Sequence, residues 1–226
     1  MKEVSNIFVI EEFLDHMLKK NESINLTAIR ERDEAYTLHI EDSLYPIEII
    51  QKYCSGNYGD LGSGCGFPGV AIALALDIHV DLVDSSKKKM NAIKEIINAM
   101  GLSDLIDTMP YRVEEMAATH DHHYGLITSR AMTRLDSLLE LSSPLLRIGG
   151  HLAAYKEDED KSELEKSLEM QEIVGMSYVE ELRYKIQGKK RVVYIFEKTH
   201  EPEIKLPRKI GKAQKSPIKP TAKKST

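Results

Sequence analysis

Residues 59–69 read Gly-Asp-Leu-Gly-Ser-Gly-Cys-Gly-Phe-Pro-Gly, and this run decides the fold of the chain. Glycine accepts positive φ and lets a ligand approach the backbone, so the run predicts a tight turn. A short segment ending at Leu61 precedes the turn, and the apolar stretch 70–76 follows it. Pro68 suits the first turn of a helix, where its missing N–H costs no hydrogen bond. The run therefore predicts a strand, a glycine turn and the start of a helix.

A second strand at 80–83 ends on Asp84, and a carboxylate at this distance is the usual partner of ribose hydroxyls. Residues 64–69 match the dinucleotide pattern G-x-G-x-x-G, which keeps NAD open as a ligand. Residues 60–66 match D-x-G-x-G-x-G, the pattern of S-adenosylmethionine (SAM) methyltransferases. The Asp60 carboxylate would repel a pyrophosphate but suits the ammonium and sulfonium of SAM. The pattern therefore favours SAM over NAD, and over a turn that binds nothing.

The composition is typical of one globular domain. The chain has 226 residues, of which 42% are hydrophobic and 30% charged, enough to bury a sizeable core. No segment has the apolar length of a membrane span, and we expect no secretory signal, because the first residues lack a basic stretch followed by an apolar one. Cys54 and Cys65 suggest neither a disulfide framework nor a zinc site. We expect a cytoplasmic protein without a metal or a membrane partner.

Charge is distributed unevenly along the chain. Residues 199–226 carry eight Lys or Arg and two Glu, whereas the rest of the chain has a net charge of −11. A basic terminal run is typical of a phosphate-binding arm, although a solvated tail without function would have the same composition. The phosphate-binding candidates are Lys205, Arg208, Lys209, Lys212 and Lys215.

Helices and strands alternate after the first 57 residues. Helices are predicted at 6–19 and 33–52, and later at 70–76, from 87 to Gly101, at 135–147 and at 158–173. Strands are predicted before Gly62 and at 79–83, 104–109, 124–129, 151–156, 178–186 and 191–198, with a hairpin at 187–190. This order predicts an α/β fold: a doubly wound, Rossmann-like and mainly parallel seven-stranded sheet with an antiparallel edge hairpin and N-terminal helices. The predicted divisions are a helical segment 1–57, a SAM-binding domain 58–198 and a basic tail 199–226.

Motifs along nearly the whole chain specify a family. They are Asn21-x-x-x-Asn25-Leu26-Thr27, His39-x-x-Asp42-Ser43-Leu44, the glycine run 60–69, Leu82-Val83-Asp84-Ser85, Arg112-Val113-Glu114-Glu115, Thr128-Ser129-Arg130-Ala131 and Pro207-Arg208-Lys209-Ile210-Gly211. With them the chain resembles the bacterial 16S rRNA guanine-N7 methyltransferase family, also called RsmG or glucose-inhibited division protein B. It departs from the family at Tyr155-Lys156-Glu157, where a glycine often follows the lysine.

The resemblance implies roles for individual residues. SAM would be bound by Asp60, Gly62, Gly64, Phe67, Asp84, Val113, Glu114 and Arg130. Of these, Asp60 would face the methionine end of SAM, Asp84 the ribose, and Val113 and Glu114 the adenine. The substrate would be 16S rRNA or the small ribosomal subunit, and we expect a monomer without a DNA partner. Asn25 and His39 would border the target nucleotide, and Arg130 would orient the cofactor or a phosphate; no catalytic residue is identified.

Other roles remain open for several of these residues. Asp84 could cap the next helix, Arg130 could pair with an acidic neighbour, and Phe67 could be a core residue. His39, Asp42 and Ser43 share a helical face and could form only a hydrogen-bond cluster. Two other functions also stay open: an NAD-dependent oxidoreductase, and an RNA-binding protein with an inactive nucleotide fold.

The implied chemistry requires little of the side chains. Guanine N7 has a lone pair and no proton, so its methylation needs no general base, only alignment of N7 with the methyl and sulfur for in-line displacement. Because all the implied SAM contacts lie between Asp60 and Arg130, removal of 212–226 is expected to weaken RNA binding and to leave SAM binding unchanged.

Overall fold

The structure is a computed structural model that describes residues 6–158 and 162–219. Outside this range lie residues 1–5, residues 159–161 of the predicted helix 158–173, and residues 220–226 of the predicted tail. Seven strands form one sheet in the order β3-β2-β1-β4-β5-β7-β6. They are β1 (Asn57–Leu61), β2 (Val80–Val83), β3 (Ile106–Met109), β4 (Tyr124–Arg130), β5 (Leu146–Glu157), β6 (Met176–Ile186) and β7 (Lys189–Lys198).

The helices in the described part of the chain are α1 (Ile7–Asn21), α2 (Arg32–Ala35), α3 (Asp42–Leu44), α4 (Ile47–Tyr53), α5 (Gly69–Leu76), α6 (Lys87–Ala99), α7 (Val113–Met116), α8 (Leu135–Ser142), α9 (Ser162–Met170) and α10 (Lys212–Lys215). A π-helical segment, Tyr36–Glu41, joins α2 to α3. Within residues 6–158 and 162–219, no helix combines the length and the apolar character needed to cross a membrane.

Helices cover both faces of the sheet. Strands β1 to β5 pair in parallel, and β7 is antiparallel to both β5 and β6. Because successive side chains of a strand point to opposite faces, Ala153 packs in the core beneath α1, α5 and α6. Leu152 and Ala154 pack in the core beneath α8. The predicted fold class is confirmed: a doubly wound, mainly parallel sheet with an antiparallel edge hairpin and N-terminal helices.

The edge hairpin turns more tightly than expected. Its turn consists of Gln187 and Gly188, with φ of 45° and 76°, instead of the four residues 187–190. Two successive positive φ values give the twist that matches the flanking strands of a two-residue hairpin. Strand β7 consequently begins at Lys189 instead of 191. Strand β6 is also longer than predicted, because it begins at Met176, at its end away from the turn.

The predicted single helix 33–52 is wrong. Its residues form α2, the π-helical segment, α3 and, after a turn at Tyr45 and Pro46, α4. Proline has no N–H for the helical ladder and restricts the residue before it, so the chain bends there. The π-helical segment, by contrast, has no sequence signal in the hydrophobic periodicity.

The end of α8, the start of β5 and the end of α9 also differ from the prediction. Helix α8 ends at Ser142 instead of 147, shortly before Pro144, and β5 begins at Leu146 instead of 151. The start of β5 is fixed by pairing of Leu146 with Tyr124 in β4, a long-range contact that periodicity does not reveal. Helix α9 ends at Met170 instead of 173.

The predicted tail packs on the body over its described residues. The backbone N–H of Thr199 donates to the carbonyl of Gly175 at 3.0 Å, and that of Glu203 to the carbonyl of Ile173 at 2.9 Å. Further along, Ala213 of α10 is buried. The basic segment is therefore held on the surface of the sheet domain up to at least this point.

Candidate cofactor and acceptor site

The glycine turn is held from below by a buried carboxylate. Asp60 at the end of β1 accepts a hydrogen bond from the Gly69 N–H at 3.0 Å and another from the Thr128 hydroxyl at 2.7 Å. Burial raises the pKa of this carboxyl to about 7, although both hydrogen bonds oppose the shift. Asp60 is fully buried, and it does not lie on the cavity wall above the turn. Its contacts fix the start of α5.

A cavity of about 460 Å³ lies above the turn, at the carboxyl ends of the strands. This volume falls in the range of small-ligand sites, and this edge of a doubly wound sheet is where such folds bind ligands. At Gly62, where φ is +72°, a Cβ would lie 2.7 Å from Met132, so the backbone forms this wall. The structure places seven of the eight predicted SAM-binding residues on the cavity wall: Gly62, Gly64, Phe67, Asp84, Val113, Glu114 and Arg130.

Asp84 joins the end of β2 to the glycine turn. Its Oδ2 accepts from the Gly64 N–H at 3.1 Å, and its Oδ1 accepts from the Ser86 N–H at 2.8 Å. The cap of α6 is the Ser86 hydroxyl, which accepts from the Lys89 N–H. Asp84 therefore does not serve as the N-cap of that helix. A carboxylate has about four acceptor positions, so these bonds leave Asp84 able to accept from the two hydroxyls of a ribose.

His39 lies between the turn and the N-terminal helices. Its imidazole stacks on Phe67 with ring centroids 5.3 Å apart, and its Nε2 lies 3.2 Å from the Thr27 hydroxyl. Burial, and secondly the charge of Arg130, lowers the pKa of His39 to about 3. The ring is therefore neutral at physiological pH. Phe67 is both a packed ring, edge-on to Phe13, and part of the cavity wall.

Arg130 makes the ion pair that the sequence left open, and it also lines the cavity. Its Nη1 donates to Asp42 Oδ2 at 3.0 Å and to the Leu38 carbonyl at 3.1 Å. The Tyr184 hydroxyl donates to the other oxygen of Asp42 at 2.8 Å. The side chains of Arg130 and Asp42 are only 15% and 4% exposed, so this pair fixes the guanidinium between the sheet and the N-terminal helices.

A second cavity, of about 680 Å³, adjoins the first and shares His39, Arg130 and Ala131 with it. Its other walls include Tyr155, Lys156, Glu157, Glu163, Tyr184 and Arg191. The Lys156 ammonium donates to Glu163 at 2.7 Å, and Arg191 donates to Glu157 at 2.6 Å. This cavity was not predicted from the sequence. One sequence feature could have indicated it: Lys156 lies at the end of the strand next to Arg130, and adjacent parallel strands end at the same edge of the sheet.

Asn25, which was expected to border the target nucleotide, does not line a cavity. It is exposed and lies outside both cavity walls, whereas its neighbours Leu26 and Thr27 line the first cavity. The loop is ordered by the buried Asn21, whose Oδ1 accepts from the N–H groups of Leu26 at 2.7 Å and Thr27 at 3.0 Å. Asn21 stood in the same motif, but spacing alone does not reveal which asparagine is buried.

The predicted RNA-binding residues fall into two groups. Lys205, Lys209, Lys212 and Lys215 are exposed. Arg208, by contrast, donates from Nε to the buried Glu140 at 2.6 Å and from Nη2 to the Ser216 carbonyl at 2.9 Å. Its guanidinium has structural partners on α8 and within its own segment.

One group of residues of metal-ligand type occurs in the described part of the chain. The ligand atoms of His79, Asp81 and Asp107 lie within 4.8 Å of one another. They lie near the starts of β2 and β3, at the opposite end of the sheet from the cavities. His79 already contacts Asp107 at 3.2 Å, and Asp81 accepts from the Tyr124 hydroxyl at 2.7 Å.

Comparison with solved structures supports the fold. An O-methyltransferase from Bacillus cereus, solved in complex with SAH, is similar to this chain with a TM-score of 0.61 at 14% identity. The alignment covers 83% of this chain and 91% of that protein. At this identity the similarity shows the fold alone.

Sequence comparison shows the family. A family model described as rRNA small subunit methyltransferase G matches residues 6–193. A ribosomal RNA small subunit methyltransferase G from Fervidobacterium nodosum is 32% identical over 93% of this chain and 98% of its own length. The one from Lachnoclostridium phytofermentans is 33% identical over 92% of this chain and 88% of its own length. The predicted cofactor, SAM, is confirmed, and the NAD alternative is set aside. The chain belongs to the rRNA small subunit methyltransferase G family.

Proposed function

We propose that the protein methylates N7 of a guanine in 16S rRNA by in-line transfer of the methyl group of SAM, acting as a monomer in the cytoplasm. The observation that carries this proposal is the junction of the two cavities at His39 and Arg130. A pKa near 3 makes His39 a poor base at neutral pH, and Arg130 is a cation tied to Asp42. Such a junction suits a nucleophile that has no proton to lose, as guanine N7 has none.

The first cavity fits SAM by the chemistry of its walls. When bound there, SAM supplies an electrophilic methyl group on a sulfonium. The backbone at Gly62 and Gly64 would approach the cofactor closely, and Asp84 would accept from the ribose hydroxyls. Val113 and Glu114 would border the adenine. Asp60 acts from beneath the turn by fixing the start of α5, so its contribution would be to hold the turn in shape.

The second cavity would hold the guanine. Tyr155 on its wall is fixed, because its hydroxyl donates to the Ser43 carbonyl at 2.9 Å. Methylation at N7 places positive charge on the base, and the carboxylates of Glu157 and Glu163 would offset the cations Arg191 and Lys156 that lie on the same walls. Arg130 and His39 would orient the two ligands, and the rigid Arg130–Asp42 pair supports a positioning role.

The RNA backbone would be held by exposed cations of the C-terminal segment, which reaches the wall of the first cavity at Gln214. Lys205, Lys209, Lys212 and Lys215 are available for phosphate contacts, which position a nucleic acid without reading its bases. We leave Arg208 out of this set because its guanidinium is paired with Glu140.

Mass spectrometry of rRNA from a strain that lacks this protein tests the proposal. We expect the small-subunit rRNA to lose one N7-methylguanosine. A plasmid copy of the wild type should restore it, whereas an Asp84→Ala copy, expected to bind SAM weakly, should restore less. The exposed Asp104→Ala is the matched control and should restore it fully. Loss of a methyl group from another base, or from the large subunit, would reject guanine N7 of 16S rRNA as the target.

A further inference from the structure

One residue on the wall of the first cavity comes from a distant part of the sequence. Every other wall residue lies between Leu26 and Met132, but Gln214 belongs to α10 in the C-terminal segment. The basic composition of this segment had pointed to RNA alone. The Gln214 side chain is exposed, as expected for a group at the edge of a ligand cavity.

Contacts on both sides of Gln214 fix its backbone. The Gly211 N–H donates to Glu114 Oε1 at 2.7 Å, and the Ser137 hydroxyl donates to the Ala213 carbonyl at 3.0 Å. Ala213, the residue before Gln214, is 2% exposed. At the start of the segment, the Arg208 guanidinium donates to Glu140 on α8. The same guanidinium donates to the carbonyl of Ser216, which follows Gln214 by two residues. Gln214 is therefore presented to the cavity from an anchored backbone.

These contacts place α10 at one end of the cavity. The strand order β3-β2-β1-β4 puts helix α7, which follows β3 and begins with Val113 and Glu114, on one side of Asp84. Arg130 at the end of β4 lies on the other side. If Asp84 holds the ribose, the base of SAM extends toward Glu114, because the transferred methyl must face the second cavity beside Arg130. The Gly211–Glu114 bond sets α10 beside the base.

The chemistry of a glutamine amide matches this position. It offers a donor and an acceptor side by side, and adenine presents an amino donor beside a ring-nitrogen acceptor, a pairing that proteins use to bind this base. We propose that Gln214 binds the adenine of SAM and that residues 208–216 form part of the cofactor site. The inference rests on the SAM site of the proposed function. It also reverses the expectation that removal of 212–226 leaves SAM binding unchanged.

Titration calorimetry with S-adenosylhomocysteine (SAH), which shares its adenosine with SAM, tests the inference without catalysis. For Gln214→Leu we expect a dissociation constant raised roughly 3- to 10-fold, the range of a neutral hydrogen bond. Gln51→Leu makes the same change on the exposed face of α4, outside the cavity wall, and should bind SAH as the wild type does.

A SAH analogue whose purine lacks the 6-amino group separates recognition of the base from a structural role. The wild type should bind this analogue roughly 3- to 10-fold more weakly than SAH, and Gln214→Leu should discriminate less between the two ligands. Unchanged SAH affinity in Gln214→Leu, or equal weakening of both ligands without a change in discrimination, would overturn the inference alone. A folded wild-type protein that binds no SAH would overturn the proposed function as well.

Discussion

At the scale of the residue, His39 shows how burial decides chemistry. The ring is 7% exposed, stacked on Phe67 and close to the Arg130 guanidinium. Both burial and the neighbouring cation disfavour the protonated form, so the imidazole stays neutral where the two cavities meet. A positively charged histidine there would repel both the sulfonium of SAM and a guanine that gains positive charge.

The lowered pKa of His39 predicts a loss of stability in mild acid. The unfolded imidazole has its ordinary pKa near 6.5, whereas the folded one has a pKa of about 3. As the pH falls through this window, the unfolded state takes up a proton that the folded state does not, and the free energy of unfolding decreases. The slope approaches about 1.4 kcal/mol per pH unit. Above pH 6.5 both states are neutral and His39 contributes no pH dependence.

Urea unfolding of wild type and His39→Gln between pH 7.5 and 4.5 measures this contribution. Asp60 changes the free energy of unfolding with pH in the opposite direction. Its folded pKa is raised to about 7, so rising pH ionises the carboxyl more readily in the unfolded state and lowers stability. The difference between the two proteins isolates His39, since Asp60 is present in both. We expect this difference to change with pH for His39→Gln and to stay flat for Gln51→Leu, a change at an exposed residue that does not titrate. A flat difference for His39→Gln would show that the folded imidazole protonates normally.

At the scale of the element, the C-terminal segment is attached to α8 by a charged pair that is largely buried. Glu140 and Arg208 have side chains 3% and 20% exposed. Arg208→Ala would leave the Glu140 carboxylate buried without its cation, and loss of one partner of such a pair costs about 3–5 kcal/mol. We expect a lower urea midpoint for this variant.

The double variant Glu140→Leu with Arg208→Met distinguishes the cost of an unpaired charge from the value of the pair. Replacement of both partners by apolar side chains of similar size is often neutral or stabilising, so the double variant should recover most of the loss. If it is as unstable as Arg208→Ala, the packing of the arginine stem on α8 is what matters.

At the scale of the whole molecule, the charge distribution favours an RNA substrate that approaches from one side. The body is acidic, and the C-terminal segment adds exposed lysines beside the wall formed by Gln214. Phosphate binding releases counterions, so the affinity for single-stranded RNA should depend on salt with a slope of about 0.7 per bound phosphate.

RNA binding across a salt series tests this arrangement. Replacing Lys209, Lys212 and Lys215 by Gln should weaken binding and flatten the slope by about 0.7 for each phosphate that is no longer neutralised. The control variant replaces three exposed lysines elsewhere with Gln and has the same net charge: Lys19, Lys166 and Lys185. Equal slopes for the two variants would assign the effect to net charge alone and would show that the C-terminal lysines bind no phosphate.

Local sequence determined the fold class and part of the wall of the first cavity. The glycine run, Asp84 and the alternation of strands and helices are short-range signals, and each predicts its structure because turn geometry and periodicity depend on neighbouring residues. These signals located the wall from Gly62 to Asp84 and predicted the sheet, whereas Val113 and Glu114 came only from the family resemblance. They failed at the π-helical segment, which hydrophobic periodicity does not mark, and at the start of β5, which long-range strand pairing sets.

Only the tertiary structure decided what lies across the cavities from the glycine turn. It buried Asp60 beneath the turn, paired Arg130 with Asp42 and kept His39 neutral. It also lined the second cavity with residues of β5 and β7. It brought Gln214 to the wall of the first cavity, whose other residues all precede residue 133. Burial, pairing and pKa depend on residues far apart in the chain, and periodicity or spacing in a single sequence does not record which distant residues meet.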